Sequence, residues 1–245
     1  MRRFLVTIQY NGKNYTGWQK NGNGKSIQDE VENALYKLFE TTINVEGVSR
    51  TDSGVSAQEY YISFCVDTKL PTNRIPFKMN RFLQKDVQAY KAQEVDLSFN
   101  VRKSVKNKTY VYKIYSSEYL LPLLNRDAYL VKEKLNVEKM NEQAKLLVGR
   151  HNFTAFSSKG GDDKTPVKTI YDAKVTKNSD GIISISLTGD GFLYNMVRII
   201  AGTLIDVGCG KINNLQDVLL SKNRQNAGLT LPPKALTLQK IELEI

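Results

Sequence analysis

The stretch that decides the fold runs from residue 45 to residue 66 and reads VEGVSRTDSGVSAQEYYISFCV. Its two ends, Val45–Val48 and Tyr60–Val66, are rich in β-branched and aromatic residues and predict two strands. The loop between these strands carries an arginine, a carboxylate and a glycine, at Arg50, Asp52 and Gly54. Loops held by rigid strands often carry function, but Asp-Ser-Gly is also a common turn sequence. Taken alone, the loop permits both a catalytic and a purely structural interpretation.

Around this stretch, the first half of the chain predicts a strand, a helix, two strands, a second helix and a last strand. The first strand begins at Phe4, where polar and apolar residues alternate. Ser26 and Asp29 have the spacing of a capping box, which predicts that a helix follows them. A short second helix is predicted from Ile75, and the last strand over Val87–Val95.

The second half of the chain repeats this order of elements. It predicts strands at Lys108–Ser116, Thr169–Thr176, Ile182–Thr188 and Leu236–Ile245, and helices after Asn136, at about Phe192–Val207 and at Leu215–Leu220. This order predicts an α+β protein built from two tandem ferredoxin-like or RRM-like units. The boundary is predicted in the segment 97–107, which gives one domain at 1–103 and a second at 104–245.

The long helix of the second half is strongly apolar, and Arg198 is the only charged residue in its stretch from Phe192 to Ile205. An arginine keeps its proton and is costly to bury without a partner. We therefore expect Arg198 to reach a carboxylate or a cleft. The alternative is an arginine at the edge of the helix whose charged end extends into solvent.

A third feature is the strand sequence around Tyr110, which alternates aromatic residues with lysines. Such a strand can stack nucleobases and hold phosphates. Tyrosine and valine also simply suit strands, so this pattern indicates little by itself.

Composition limits the partner and the compartment. The chain has 35 basic and 25 acidic residues and a net charge of +10. This excess favours a polyanionic partner, either nucleic acid or an anionic membrane surface, although a basic protein without such a partner is also compatible with it.

The sequence has no apolar run of membrane-spanning length and no secretory signal pattern. Cys65 and Cys209 lack the spacing of a metal site, and we expect a reducing, cytoplasmic compartment.

Over nearly its whole length the chain resembles the TruA-type tRNA pseudouridine synthases. The resemblance rests on several motifs in the family's order, namely Tyr10-Asn11-Gly12 with Gly17-Trp18-Gln19, Arg50-Thr51-Asp52-Ser53-Gly54-Val55, Phe99-Asn100-Val101-Arg102, Lys108-Thr109-Tyr110-Val111-Tyr112, Gly149-Arg150-His151-Asn152-Phe153, Met196-Val197-Arg198 and Ala227-Gly228. It implies the pseudouridine synthase fold, with a basic catalytic cleft between the two units. It also implies a homodimer that modifies uridines 38 to 40 of tRNA, without a metal or other cofactor.

The resemblance further implies roles for particular residues. Asp52 would be the catalytic carboxylate, Arg198 the guanidinium that keeps it ionised, and Tyr110 the ring that stacks on the extruded uracil and moves a proton. RNA would be bound by Arg50, Arg102, Lys108, Lys20 and Lys168. His151, the only histidine, is expected to be structural because the chemistry needs no imidazole.

The sequence departs from the family pattern near the expected RNA-binding surface, with Ser49, Ser56, Glu59-Tyr60, Lys103-Ser104 and Ala235 in place of the usual residues. Three interpretations therefore remain open. The first is the tRNA enzyme described above, and the second is a paralogue with the same chemistry on ribosomal RNA. The third is a module that binds RNA without modifying it.

Overall fold

The computed structural model describes residues 1–161 and 165–245, which form two compact units. Unit 1 comprises residues 1–106 together with 238–245, and unit 2 comprises residues 107–237. The sequence analysis placed the domain boundary after residue 103 and the last strand in the second domain, whereas unit 1 extends to residue 106 and includes residues 238–245. The mixed helix and strand content confirms the predicted α+β class.

Unit 1 begins with four strands and two helices in the order strand, helix, strand, strand, helix, strand. These are β1 (Arg2–Tyr10), α1 (Ile27–Phe39), β2 (Glu46–Gly47), β3 (Ser56–Val66), α2 (Ile75–Met79) and β4 (Val87–Val95). Strand β1 lies between β4 and β3, and β2 pairs with β3 on its other side. The pairings of β1 with β3 and β4, and of β2 with β3, are antiparallel. This is the chain order and sheet order of a ferredoxin-like unit, as the sequence predicted.

Phe4, Val6 and Ile8 of β1 are fully buried in the core, and Leu5 and Thr7 on the opposite face of the strand are buried as well. The helix that covers this core begins where the sequence predicted. The side chain of Ser26 accepts a hydrogen bond from the backbone of Asp29, and the Asp29 carboxylate accepts one from the backbone of Ser26. This reciprocal capping box satisfies two N–H groups that the first turn of a helix leaves without partners.

Unit 2 contains β5 (Val105–Ser116), β6 (Tyr129–Val131), α3 (Val137–Ala144), β7 (Gly149–Asn152), β8 (Val167–Lys177), β9 (Ile182–Gly189), α4 (Met196–Gly208) and α5 (Leu215–Ser221). The strand order is β5, β9, β8, β7, and β6 runs parallel to β5. Unit 2 repeats the first five elements of unit 1, which are a strand, a helix, two strands and a helix. In unit 2 these elements are β5, α3, β8, β9 and α4. The last strand, β10 (Leu236–Leu243), lies beside β3 in unit 1.

Short 3-10 helices complete the described residues, at Gly12–Asn14, Thr72–Arg74, Leu124–Arg126, Lys145–Leu147, Thr154–Phe156, Arg224–Asn226 and Pro233–Ala235. None of the helices in the described residues is long and apolar enough to cross a membrane.

Three local predictions were wrong. Strand β3 begins at Ser56 and not at Tyr60, because its pairing with β1 extends beyond Tyr60. Helix α4 begins at Met196 and not at about Phe192, because Asn195 takes a left-handed conformation with φ of 62° that a helix cannot include. Arg198 therefore lies in the first turn of α4, close to the loop that precedes it. Strand β2 has only two residues, whereas the apolar pattern of Val45–Val48 predicted four.

Candidate active site

The loop that carries Asp52 connects β2 to β3 in unit 1 and is held tightly on both sides of that residue. Thr51 is buried, whereas Asp52 is half-buried and Arg50 is exposed. The backbone N–H of Val55 donates to the carbonyl oxygen of Asp52 at 3.2 Å, which closes a tight turn around the carboxylate. Gly54 completes this turn with a φ of 79°, a conformation that glycine adopts readily.

The segment that follows β1 forms the support for this turn. The carbonyl oxygen of Tyr15 accepts hydrogen bonds from the N–H of Gly54 at 3.1 Å and from the hydroxyl of Ser53 at 3.3 Å. The N–H of Trp18 donates to the carbonyl oxygen of Thr51 at 3.3 Å. Two sequence motifs that lie more than thirty residues apart along the chain therefore meet at the Asp52 loop.

Side chains of the unit 1 core also support the loop that carries Asp52. The hydroxyl groups of Tyr10 and Thr51 share a buried hydrogen bond of 2.9 Å. The hydroxyl of Tyr60 donates to the carbonyl oxygen of Ser49, and its ring lies 4.6 Å from that of Trp18. Both Tyr60 and Trp18 are almost fully buried. Because the base of the loop rests on large rigid rings, the position of Asp52 is fixed by the core of unit 1.

Tyr15 is anchored at its other end. Its hydroxyl donates to the carboxylate of Asp86 at 2.6 Å. Burial and the neighbouring Asp86 both raise the pKa of Tyr15 well above its usual value, so the phenol remains protonated as the donor. Sequence reasoning did not identify Tyr15 as a supporting residue, because its role depends on its backbone carbonyl.

In unit 2, Tyr110 lies on β5 and is 8% exposed. Its ring meets that of Phe192 edge to face, with 5.2 Å between the ring centroids. Tyr112 lies on the same face of the strand, is fully buried, and donates its hydroxyl to the carbonyl oxygen of Pro232 at 2.8 Å. Burial raises the pKa of Tyr112, and the positive charge of Arg198 partly opposes this shift.

Arg198 is held by two neutral acceptors within unit 2. Its Nε donates to the carbonyl oxygen of Leu231 at 2.6 Å, and its Nη1 donates to Oδ1 of Asn195 at 2.6 Å. The side chain is therefore folded against its own unit and does not simply extend into solvent from the helix edge. Neither Asn195 nor Leu231 was identified from the sequence, because no spacing rule links a loop carbonyl to a helix 33 residues away along the chain.

The residues predicted to bind RNA differ in their environments. Arg50 is exposed, and Lys108 and Lys168 are half-buried on β5 and β8. Arg102 is exposed, but its Nε donates to the carbonyl oxygen of Gly47 at 3.0 Å. Arg50 and Arg102 belong to unit 1, whereas Lys108 and Lys168 belong to unit 2.

Lys20 is engaged in ion pairs within unit 1. Its ammonium lies 2.6 Å from the carboxylate of Glu32 and 3.3 Å from that of Asp29. These carboxylates, Glu32 first, raise the pKa of Lys20. Because its charge is already balanced, Lys20 is a weaker candidate for phosphate binding than the sequence indicated.

His151 makes a local contact of the kind expected of a structural residue. Its Nε2 lies 3.0 Å from the carbonyl oxygen of Val148, and its ring meets that of Phe153 edge to face. Across residues 1–161 and 165–245, no cluster of three or more histidine, cysteine, aspartate or glutamate side chains has the arrangement of a metal site.

The family model for tRNA pseudouridine synthase matches residues 6–102 and 143–243, which include both the Asp52 loop and Arg198. The chain belongs to this family. Tyr110 and Lys108 lie between the two matched ranges.

Curated relatives match almost the whole chain. One is tRNA pseudouridine synthase A of Thermoanaerobacter sp. (strain X514), which is 39% identical over 243 residues, covering 98% of this chain and 99% of the relative. Another is tRNA pseudouridine synthase A of Acetivibrio thermocellus, which is 40% identical over 243 residues with the same coverage. A solved structure of an H/ACA RNP bound to a substrate RNA containing 2'-deoxyuridine contains a chain with a TM-score of 0.37 and 9% identity, covering 83% of this chain and 53% of that one. A likeness this weak is not informative about fold or function.

Proposed function

We propose that this protein converts uridine to pseudouridine in tRNA. The observation that carries the proposal is its membership of the tRNA pseudouridine synthase family, with 39% and 40% identity to enzymes of that name over 98% of the chain. The net charge of +10 supports a polyanionic substrate. The same family membership argues against a module that binds RNA without modifying it.

The reaction is an isomerisation and needs one well-placed carboxylate. The bond between N1 of uracil and C1′ of the ribose breaks, the base turns, and C5 bonds to C1′. The proton on C5 is released and N1 takes up a proton, so the composition of the RNA does not change. A carboxylate nucleophile can begin this sequence.

Asp52 is the proposed catalytic carboxylate. It would attack C1′ of the ribose or C6 of the base, or abstract the proton on C2′. All three routes require an ionised carboxylate at a fixed position. The support for Asp52 is its place at the tip of a turn that Tyr15 and Trp18 hold by backbone hydrogen bonds.

Arg198 and Tyr110 are proposed to complete the site. A guanidinium favours the charged form of a nearby carboxylate, and this is the role assigned to Arg198. An aromatic ring can stack on an extruded base and offset the few kcal/mol that unstacking costs. Tyr110 would provide this ring, and its hydroxyl would move the proton on C5 or C2′.

The finer features of the function are proposed from the family resemblance. The target uridines are positions 38 to 40 in the anticodon arm, and the protein works as a cytoplasmic homodimer. Exposed Arg50 is proposed to contact a phosphate or to fill the space that the uridine leaves. Arg102, Lys108, Lys168 and the ion-paired Lys20 are proposed to line the path of the backbone. Sedimentation of the purified protein tests the dimer directly.

The central experiment measures tritium release from a tRNA transcript labelled at C5 of uridine. The wild-type protein is expected to release the label, and Asp52→Asn is expected to bind the same tRNA without releasing it. If Asp52→Asn turns over at the wild-type rate, the assignment of the carboxylate is wrong. If the wild-type protein binds tRNA and releases no tritium, the protein is a binding module. Pseudouridine mapping in a knockout strain then separates tRNA positions from ribosomal targets.

A further inference from the structure

Asn195 begins helix α4 in an unusual way. A residue at this position normally has an extended backbone, and its side chain accepts a hydrogen bond from the first turn. Asn195 instead has φ of 62° and ψ of 6°, and its side chain makes no capping hydrogen bond. Two other non-glycine residues of the described ranges have positive φ, Glu40 and Lys222, and both end helices.

The Asn195 amide makes two other hydrogen bonds instead. Its Oδ1 accepts from Nη1 of Arg198 at 2.6 Å, and its Nδ2 donates to Oγ of Ser158 at 3.0 Å. The orientation of the amide is fixed by chemistry, because a guanidinium only donates hydrogen bonds. The N–H of Ser158 in turn donates to the carbonyl oxygen of Tyr194 at 3.2 Å. The amide therefore ties the arginine to a loop that is itself tied to the residue before Asn195.

A second acceptor holds the other end of the guanidinium. Nε of Arg198 donates to the carbonyl oxygen of Leu231, whose N–H lies 3.5 Å from the carbonyl oxygen of Arg198. The segment that contains Leu231 packs directly on α4, because a Cβ at Gly202 would overlap the carbonyl oxygen of Leu229. A planar guanidinium that is held at both Nε and Nη1 has its plane and its direction fixed.

We propose that Asn195 is a positioning residue for the reaction, which holds the Arg198 guanidinium in the orientation needed to act on the catalytic carboxylate. This inference rests on the proposed function. The oxygens of Asn195 and Leu231 are neutral acceptors, so they orient the guanidinium without cancelling its charge. The left-handed backbone at Asn195 turns its side chain back toward Arg198 in the first turn, and asparagine tolerates this conformation better than most residues.

The test compares Asn195→Gly with Lys222→Gly in the tritium-release assay. Glycine accepts the positive φ at both positions, so the first variant loses the amide without backbone strain. A hydrogen bond to a charged group is strong, and its loss is expected to lower kcat about ten- to a hundredfold. The KM for tRNA should change about threefold at most, because no phosphate contact is assigned to Asn195. Lys222→Gly is the matched control and should keep the wild-type kcat.

The pH profile separates positioning from a loss of structure. The acid limb of the plot of kcat against pH reports the ionisation of the catalytic carboxylate in the complex. A loosened guanidinium favours the ionised carboxylate less, so the acid limb should move to higher pH in Asn195→Gly. An unmoved acid limb together with a wild-type kcat overturns the inference. Ser158→Ala removes only the second hydrogen bond of the amide and should lower kcat by a smaller factor, about three- to tenfold.

A double-mutant cycle with Arg198→Lys distinguishes this inference from the proposed function. If Asn195 acts through Arg198, Asn195→Gly should cause no further loss of kcat in the Arg198→Lys background. If Asn195→Gly lowers kcat by the same factor in the wild-type and Arg198→Lys backgrounds, Asn195 acts independently of Arg198 and the inference is wrong. If Arg198→Lys alone keeps the wild-type kcat, the role proposed for Arg198 fails, and the inference fails with it.

Discussion

Gly17 faces the carbonyl oxygen of Thr51 so closely that a Cβ at Gly17 would overlap this oxygen and lie 3.1 Å from the carbonyl carbon of Asp52. Gly17 also has a φ of 94°, which side-chain-bearing residues rarely adopt. The residue before the proposed catalytic carboxylate is thus in direct contact with a glycine from the opposite side of the turn.

Gly17→Ala is expected to lower the activity at least tenfold. The new methyl group would push the carbonyl groups of Thr51 and Asp52 aside, and a displacement of about 1 Å at a catalytic group can cost a hundredfold in rate. The measurement is kcat in the tritium-release assay, with the unfolding midpoint in urea measured alongside it.

Gly181→Ala is the matched control for this substitution. Gly181 has a φ of 80°, similar to that of Gly17, but a Cβ there would have nothing within 4 Å. It shares the backbone strain, about 1 to 2 kcal/mol, without the overlap. Equal losses of kcat in the two variants would mean that the contact with Thr51 has no part in catalysis.

Tyr110→Phe is expected to keep tRNA binding and to lose turnover. The ring that would stack on uracil remains, and the hydroxyl proposed to move a proton is removed, which should lower kcat by a factor of about 10² to 10⁴. Tyr171→Phe is a suitable control, because Tyr171 is 53% exposed on β8. A wild-type kcat in Tyr110→Phe would limit Tyr110 to stacking and packing.

Gly202→Ala is expected to destabilise the protein by about 1 to 3 kcal/mol, as overpacking of a close contact usually does. The overlap is with the backbone of Leu229, which cannot rotate away as a side chain can. Gly208→Ala in the same helix meets mainly the flexible side chain of Met140, at 2.7 Å, and should cost much less. Urea denaturation of the two variants measures the difference. Similar losses would contradict the close packing proposed for the segment at Leu229.

Asp29→Asn is expected to lower the free energy of unfolding by about 0.5 to 1 kcal/mol at neutral pH, because the first turn of α1 loses a negative charge and an ion pair. Burial raises the pKa of Asp29, but hydrogen bonds from Ser26 and the contact with Lys20 outweigh it and lower the pKa overall. The stabilisation by the ionised Asp29 carboxylate is fully present above the pKa of aspartate in the unfolded chain, about 3.9. This stabilisation is lost as the pH falls through the pKa of Asp29 in the folded protein, which is the lower of the two. Urea titrations should show the difference between variant and wild type shrinking below about pH 4, and a difference that grows there would contradict the assignment.

Local signals allowed much of the fold to be predicted. The capping box at Ser26 sets the start of α1. The pattern of Phe4, Val6 and Ile8 predicted a strand at β1, although both faces of that strand are buried. Strand β4 has the predicted bounds, Val87–Val95. Short elements such as β6 and β7 were missed, because three or four residues carry too little periodicity to distinguish a strand from a loop.

The sequence pointed to the chemical groups of the candidate site, whose roles stay predictions, and not to the residues that support those groups. The loop motif identified Asp52, and the lone charge in an apolar helix drew attention to Arg198. The residues that hold them act through backbone carbonyls, as Tyr15 and Leu231 do. Every residue has such a carbonyl, so side-chain identity gives no sign of this role. The left-handed conformation of Asn195 likewise depends on long-range contacts that no local pattern contains.

Because β10 lies beside β3 although its residues follow unit 2 in the chain, the ribosome must synthesise all of residues 107–237 before unit 1 can acquire this strand. Until then, part of the β3 edge has unpaired backbone groups, which are prone to pair with other chains. A fragment that stops at residue 106 would keep this edge open permanently. Expression of the first unit alone should therefore give an aggregation-prone product, unless residues 236–245 are supplied as a separate peptide or joined to it by a linker.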